Sequence, residues 1–210
     1  MTKQTIKGQI IEAPPSSAAK LRAGVIVLAR HGEPALDRKI KLTAREYGDW
    51  WALYEAGGIK AGQVPPEHLI EAAGKADRIY TSTRLRSIET ARALAAGREL
   101  AHDVQFIEAP LPPPPWPDLI RLSPRMWGFV SRVSWWVGHH GGQETRPQAQ
   151  VRAKAAARRL HEMATAGDSV LVVAHGFFNT MIGNDLRRLG WRCVRGRGWR
   201  YWSTRYFERP

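Results

Sequence analysis

Cysteine is almost absent, with Cys193 the one thiol in 210 residues. That excludes an intramolecular disulfide and a cysteine-cluster metal site. Cys193 is expected to pack as a small apolar side chain. Acidic residues are scarce, 19 Asp and Glu against 32 Lys and Arg, for a net charge of +13. Long hydrophobic runs are missing too. No segment approaches the roughly 18 apolar residues of a membrane span, and "MTKQTIKGQIIEAPPSSAAKLRAG" lacks the continuous apolar core of a signal peptide. The expectation is a soluble, cytoplasmic protein without a membrane span. There is no internal repeat, and low complexity is confined to "PPPPWP".

What is present is arginine. Its planar, always charged guanidinium suits bidentate contact with phosphate or carboxylate. An excess of this sign favours anionic partners in general. It does not separate a phosphorylated metabolite from nucleic acid or a membrane surface. Length and a hydrophobic content of 43% fit one domain with a substantial core.

Along the chain, residues 1–22 read as an N-terminal extension and 23–210 as a single domain. "AGVIVLA" (Ala23 to Ala29) and "SVLVVAHG" (Ser169 to Gly176) are short, β-branched and apolar, as buried parallel strands are. "LTAREYGDWWALYEAG" reads as a helix with Thr43 as N-cap, Glu46 three residues on and a Gly57-Gly58 stop. A short strand at Arg78 to Thr81 leads into a helix from about Thr83 to Gly97, and "VQFIEAP" (Val104 to Pro110) is a candidate strand. Helices follow at about Gln148 to Ala166 and over "FFNTMIGNDLRRLG". The tail "GWRYWSTRYFERP" reads as an edge strand. Alternating strands and helices predict an α/β fold with a mainly parallel sheet, whose ligands sit beyond the carboxyl ends of strands. Residues 110–145 break the rhythm. Their stiff proline run and amphipathic, tryptophan-rich second half read as an insertion packed over the strand ends.

Chemistry collects at those strand ends. His31 and His175 each follow an apolar strand and precede glycine, whose missing Cβ lets a ligand approach the backbone. The helix after His175 would offer free N–H groups and a positive dipole end to a phosphate. In "STRLRSIETA", Ser82, Arg86 and Thr90 recur every four residues and so share one helix face. Arg86 would point back toward the strand ends, whereas Arg84 and Arg92 read as solvated. His68, His102, His139, His140 and His161 read as structural or exposed.

"LARHGEP", "STRLRSIETA", "FIEAP" and "VVAHG", in that order over roughly residues 23 to 190, resemble the histidine phosphatase superfamily, also called phosphoglycerate mutase-like. The resemblance implies a three-layer α/β/α sandwich, to which the Pro/Trp-rich insertion read from the residues adds a lid segment. It implies that His31 is the nucleophile, forming a phosphohistidine, and that Arg30, Arg86 and His175 line the phosphate pocket. It makes Glu108 the general acid, and His31, Glu108 and His175 the catalytic set. No metal and no cofactor is implied. Glu33 and Glu144 compete with Glu108, which is preferred. Asp37, six residues beyond His31, would repel a phosphate unless Arg38 or Lys39 compensates, and is left unassigned.

The expected function is a metal-independent phosphomonoesterase acting on a phosphorylated small molecule or phosphoprotein, as a monomer or an oligomer. The first alternative is a phosphomutase of the same superfamily. The second is a catalytically inactive, basic RNA- or anion-binding protein, to which "RRLGWRCVRGRGWRYWSTRYFER" lends aromatics interleaved with arginine. No specific nucleic-acid motif is present. Trp127, Trp135 and Trp136 either wall the phosphate pocket or fill the insertion's own core.

Overall fold

The apolar run after Gly24 becomes β1 (Ile26–Arg30) in the computed structural model, which describes residues 24–196 and 198–210. The extension expected at 1–22 lies outside the described residues. The chain continues through α1 (Ala44–Ala56), α2 (Glu67–Lys75), β2 (Arg78–Thr81), α3 (Leu85–Ala95) and a two-residue β3 (Ala101–His102). Then come α4 (Pro124–Trp136), α5 (Arg146–Thr165), β4 (Val170–Ala174), α6 (Gly176–Arg188), β5 (Arg192–Arg195) and β6 (Thr204–Glu208). The sheet order is β3-β2-β4-β1-β6-β5. β3, β2, β4 and β1 run parallel, while β6 and β5 are antiparallel additions beside β1.

Alternation along the strands divides the core. Ile26, Leu28, Val170 and Val172 bury one face against α5 and α6, with Leu160, Phe178 and Ile182. Val27, Ala29, Leu171 and Val173 bury the other against α2 and α3, with Leu69, Ala73 and Leu94. Three layers result, because a central parallel strand apolar on both faces needs cover on both. α1 starts at the expected capping box. The Thr43 side chain accepts from the Glu46 N–H, and the Glu46 carboxylate accepts from the Thr43 N–H at 2.7 Å. No helix of the described residues is long and apolar enough to cross a membrane.

Three expectations are corrected. Val104 to Pro110 is not a strand. Only Val104–Phe106 is regular, as a 3-10 turn. Guanidinium groups take up the carbonyls a neighbouring strand would otherwise have met. Arg152 donates to Gln105 and Ile107 at 2.8 Å each, and Arg132 to Ala109 at 3.3 Å. The tail strand β6 is not at the edge, since it lies between β1 and β5. α2, absent from the sequence reading, begins after Pro66 without a side-chain cap to announce it.

The insertion forms α4, which packs on α1 and also borders the strand ends, with Leu111, Pro124 and Gly128 lining the same cavity as His31 and His175. Trp127 is buried, stacks on Tyr47 at 5.9 Å and donates its indole N–H to the Leu42 carbonyl at 2.7 Å. Trp135 is buried against Phe177 and donates to the Glu144 carbonyl at 2.9 Å, while Trp136 is exposed.

Candidate active site

The residues singled out in sequence converge where β1, β2 and β4 end. Parallel pairing places Arg30 opposite Ala174 and Thr81 opposite Val173, so the residues just beyond each strand share one crevice. A cavity of about 90 Å³ there is lined by Arg30, His31, Arg86, Glu108 and His175, together with Arg38 and aromatic residues of α1. His31, Arg86 and His175 are 2%, 0% and 1% exposed.

His31 Nδ1 lies 2.7 Å from the Gly32 carbonyl. A carbonyl only accepts, so the proton sits on Nδ1 and the neutral ring keeps its lone pair on Nε2. Burial, then the charges of Arg86 and Arg30, holds His31 well below the usual 6.5. His175 is depressed as well, by burial first and then by Arg86, His31 and Arg30. The two rings meet edge-on with centroids 5.2 Å apart. His175 Nε2 is 2.8 Å from Ser82 Oγ, and its Nδ1 is 3.4 Å from Arg86 Nη2. A guanidinium only donates, so neutral His175 carries its proton on Nε2 and gives it to Ser82.

Arg86 sits in the first turn of α3, as its spacing from Ser82 predicts. It donates to the Tyr54 carbonyl at 2.9 Å and to Glu55 Oε1 at 2.6 Å. Thr90, one turn on, accepts from the Gly32 N–H at 2.9 Å and so ties α3 to the loop after β1. Arg30 leaves β1 toward α6, donates to the Trp199 carbonyl and lies 4.5 Å from the Tyr201 ring centre. Near Gly176 the Arg30 stem occupies the space a Cβ would take, at 3.3 Å. At Gly32 the space is filled from within the chain, because a Cβ would meet the Trp202 ring at 2.7 Å.

Glu108 reaches the crevice on the irregular segment braced by Arg152 and Arg132. Its Oε1 accepts from the Phe178 N–H at 2.9 Å and its Oε2 from the Phe177 N–H at 3.2 Å. These are N–H groups of the first turn of α6 that the sequence reading left free for phosphate, and the carboxylate takes them instead. Beyond Glu108 and Trp51, which line both spaces, opens a larger pocket of about 430 Å³ bordered by Arg84, Ile107, Glu144 and Arg152.

The other acids fall outside. Glu33 is half exposed and paired with Lys60. Glu144 is held by Arg152 at 2.7 Å, on the rim of the larger pocket. Asp37 is exposed and accepts from the Lys39 N–H at 2.8 Å, closing a local turn. None of Trp127, Trp135 and Trp136 lines the small cavity; α4 contributes Pro124 and Gly128. Sequence reasoning missed Tyr47, Trp50, Trp51 and Tyr54 on α1. The cue was there, since all four belong to one aromatic-rich helix directly after the R-H-G loop. Tyr201 carried no such cue.

Among the described residues, no group of three or more His, Cys, Asp or Glu is arranged to hold a metal ion. No curated protein matches the sequence significantly. Solved structures share the fold. Mycobacterial glucosyl-3-phosphoglycerate phosphatase aligns with a TM-score of 0.52 at 18% identity, over 80% of this chain and 81% of that one. A second protein, described as mycobacterial hydrolase 1, aligns at 0.53 and 18% identity over 80% of each chain. The family profile for the histidine phosphatase superfamily, branch 1, matches residues 26–203, and with that span, this fold and these strand-end residues the chain belongs to the histidine phosphatase superfamily.

Proposed function

We propose that the protein is a phosphomonoesterase that works through a phosphohistidine at His31 and needs no metal. The observation that carries the reading is the fixed tautomer of His31. The bond from Nδ1 to Gly32 leaves an unprotonated Nε2 in an oxyanion-sized cavity lined by guanidinium groups. Depression of the His31 pKa keeps that nitrogen available through the neutral range. Family membership and a phosphatase among the solved structures of the same fold support the same reading.

In this reading Nε2 attacks phosphorus, an N–P bond forms, and the bond to the leaving oxygen breaks. Arg30 and Arg86 neutralise the equatorial oxygens, which is most of what phosphoryl transfer asks of a protein. An arriving phosphate offsets the guanidinium charges that keep His175 neutral. His175 can then take a proton on Nδ1 and donate to the phosphoryl group. Glu108 in its protonated form gives the leaving alkoxide its proton, and the carboxylate so formed takes a proton from the water that attacks the phosphohistidine, which restores the acid for the next turnover. That hydrolysis restores neutral His31 and releases phosphate. The pocket of about 430 Å³ that begins at Glu108 would hold the leaving group. The small cavity itself has room for little beyond the phosphoryl group.

The test is turnover of an aryl phosphate with and without chelator, repeated with His31→Ala. Chelator-resistant release of phosphate that disappears in the variant is expected. Turnover that requires added metal, or that survives the loss of His31, contradicts the reading. One observation favours the binding alternative. A groove of about 560 Å³ is lined by Arg187, Arg192, Arg195 and Arg205 beside Trp191. Salt-sensitive RNA binding without hydrolysis of any monoester would make that groove, and not the strand-end cavity, the working site.

A further inference from the structure

The cavity holds a cation that neither the sequence motifs nor the family resemblance assigns. Arg38 follows Asp37 in the loop after β1. Pro34 pairs with Ile59 at the start of this loop, and the Asp37 carbonyl accepts from the Trp50 indole at 3.0 Å further along. Asp37 thus turns outward while Arg38 turns in, lining the cavity with His31, Arg30 and Arg86. Its Nη1 donates to the Tyr201 hydroxyl, and its guanidinium lies 5.9 Å from that ring's centre.

Charge balance gives Arg38 a task. Arg86 is already paired, with Glu55 Oε1 at 2.6 Å, and the other Glu55 oxygen is 2.7 Å from Arg84. Among the described residues neither Arg30 nor Arg38 has a carboxylate partner. Burial and the neighbouring guanidiniums favour the neutral form of both histidines. Arg30 and Arg38 are therefore the two guanidiniums of the cavity without a carboxylate partner among the described residues, while Arg86 shares Glu55 with Arg84. The polar atoms agree. The Nε groups of Arg30, Arg38 and Arg86 and the Tyr47 hydroxyl are buried without a partner among the described residues. A buried guanidinium N–H left unmet is costly unless a ligand meets it.

We infer that Arg38 is a phosphate-binding residue of this site, a third guanidinium held ready by Tyr201, and that it adds its charge to that of Arg30 and Arg86 against the phosphate dianion. The inference rests on the phosphatase reading but is tested separately from it. Arg86, which shares Glu55 with Arg84, offers the phosphate only part of its charge and also acts by geometry. It joins Glu55, the α1 carbonyls and His175 into one frame, while Arg38 adds a guanidinium that no carboxylate of the described residues engages.

The experiment is calorimetric titration with inorganic phosphate, alongside steady-state kinetics on an aryl phosphate. It uses the wild type, Arg38→Gln, Arg38→Lys, Tyr201→Phe and the exposed control Arg92→Gln. Loss of one charge-assisted contact predicts that Arg38→Gln weakens phosphate binding about 10- to 100-fold. KM should rise by a similar factor, with kcat falling less. Arg38→Lys should recover part of the loss. Tyr201→Phe removes only the hydroxyl that orients Arg38, so it should cost about 2- to 10-fold without threatening the fold. Arg92→Gln should match the wild type. If the wild type turns over substrate while Arg38→Gln and Tyr201→Phe keep its phosphate affinity and KM, the Arg38 inference is overturned and the phosphatase reading stands. If the wild type binds phosphate through Arg38 but hydrolyses nothing, the phosphatase reading fails and the Arg38 assignment stands. Absence of phosphate binding by the wild type in the millimolar range overturns both.

Discussion

The strand-end cavity and the α1–α4 contact are both crowded with aromatic and polar side chains, and they treat their polar atoms in opposite ways. On the α4 side the indoles are satisfied, Trp127 by the Leu42 carbonyl and Trp135 by the Glu144 carbonyl. Arg132 reaches the Ala109 carbonyl and stacks 3.8 Å from the Phe177 ring centre. Ser131 is the exception on that helix, a single neutral hydroxyl. In the cavity three guanidinium Nε groups are buried unmet, as is the Tyr47 hydroxyl where the two regions meet. Satisfied polar groups around large aromatics stabilise a fold, whereas unmet cationic donors in a concave site wait for an anion. Tryptophan density in the sequence marks the first kind of region and is easily mistaken for the second.

Breaking the cavity should abolish chemistry and spare the fold. His31→Ala removes the proposed nucleophile and should lower kcat/KM by at least about 10⁴-fold, a scale seen when other covalent catalysts lose theirs. Its thermal midpoint should stay near that of the wild type. Glu108→Gln comes next. It should cost about 10²- to 10⁴-fold on alkyl phosphates and much less on an aryl phosphate with a good leaving group. Equal loss on both substrates would mean that Glu108 does not deliver the proton.

Breaking the α4 side should do the reverse. Trp127→Ala removes a buried indole from the stack with Tyr47, so denaturant titration should show a loss of about 3–5 kcal/mol. A neutral result there would show that α4 is dispensable to the core.

The smallest effect is on pH dependence. His31 and His175 are held neutral well below 6.5 by burial and neighbouring guanidiniums. Below pH 6.5 the unfolded chain takes up protons that the native site refuses. Stability should therefore fall as pH drops through that region and be unaffected by these groups above it. Thermal melts between acid and neutral pH should show the decline, and His175→Asn should make it shallower. The acid limb of kcat/KM should likewise lie below 6.5. An acid limb at or above that value would mean that burial and the guanidiniums do not hold these imidazoles neutral.

The sheet centre was legible because β-branched runs and capping signals are local. β1, β4, α1 with its Thr43 box, α3, α5 and α6 all appear where the pattern put them. The segment Val104 to Pro110 was misread because its carbonyls are met by Arg132 and Arg152, long side chains from elsewhere that periodicity does not record. In the site, the sequence picked out His31, Arg30, Arg86, His175 and Glu108, and all five line one cavity. It named Arg38 only as a counter-charge to Asp37, and of the two roles it offered the tryptophans, Trp127 and Trp135 take the packing one. Asp37 and Arg38 are neighbours, and which one turns inward is decided by a two-residue turn and an indole hydrogen bond. Tyr201 lies far along the chain from His31. It arrives only because β6 pairs antiparallel with β1, with Ala29 opposite Thr204. Its ring then sits 5.8 Å from that of His31.

The central claim is that His31 Nε2 becomes phosphorylated. Rapid quenching of the enzyme with a ³²P-labelled monoester should trap a phosphoenzyme that is stable in base and labile in acid. The label should map to the peptide containing His31 and be absent from His31→Ala. Steady turnover with no trapped phosphoenzyme, or label on any residue other than His31, would contradict the account.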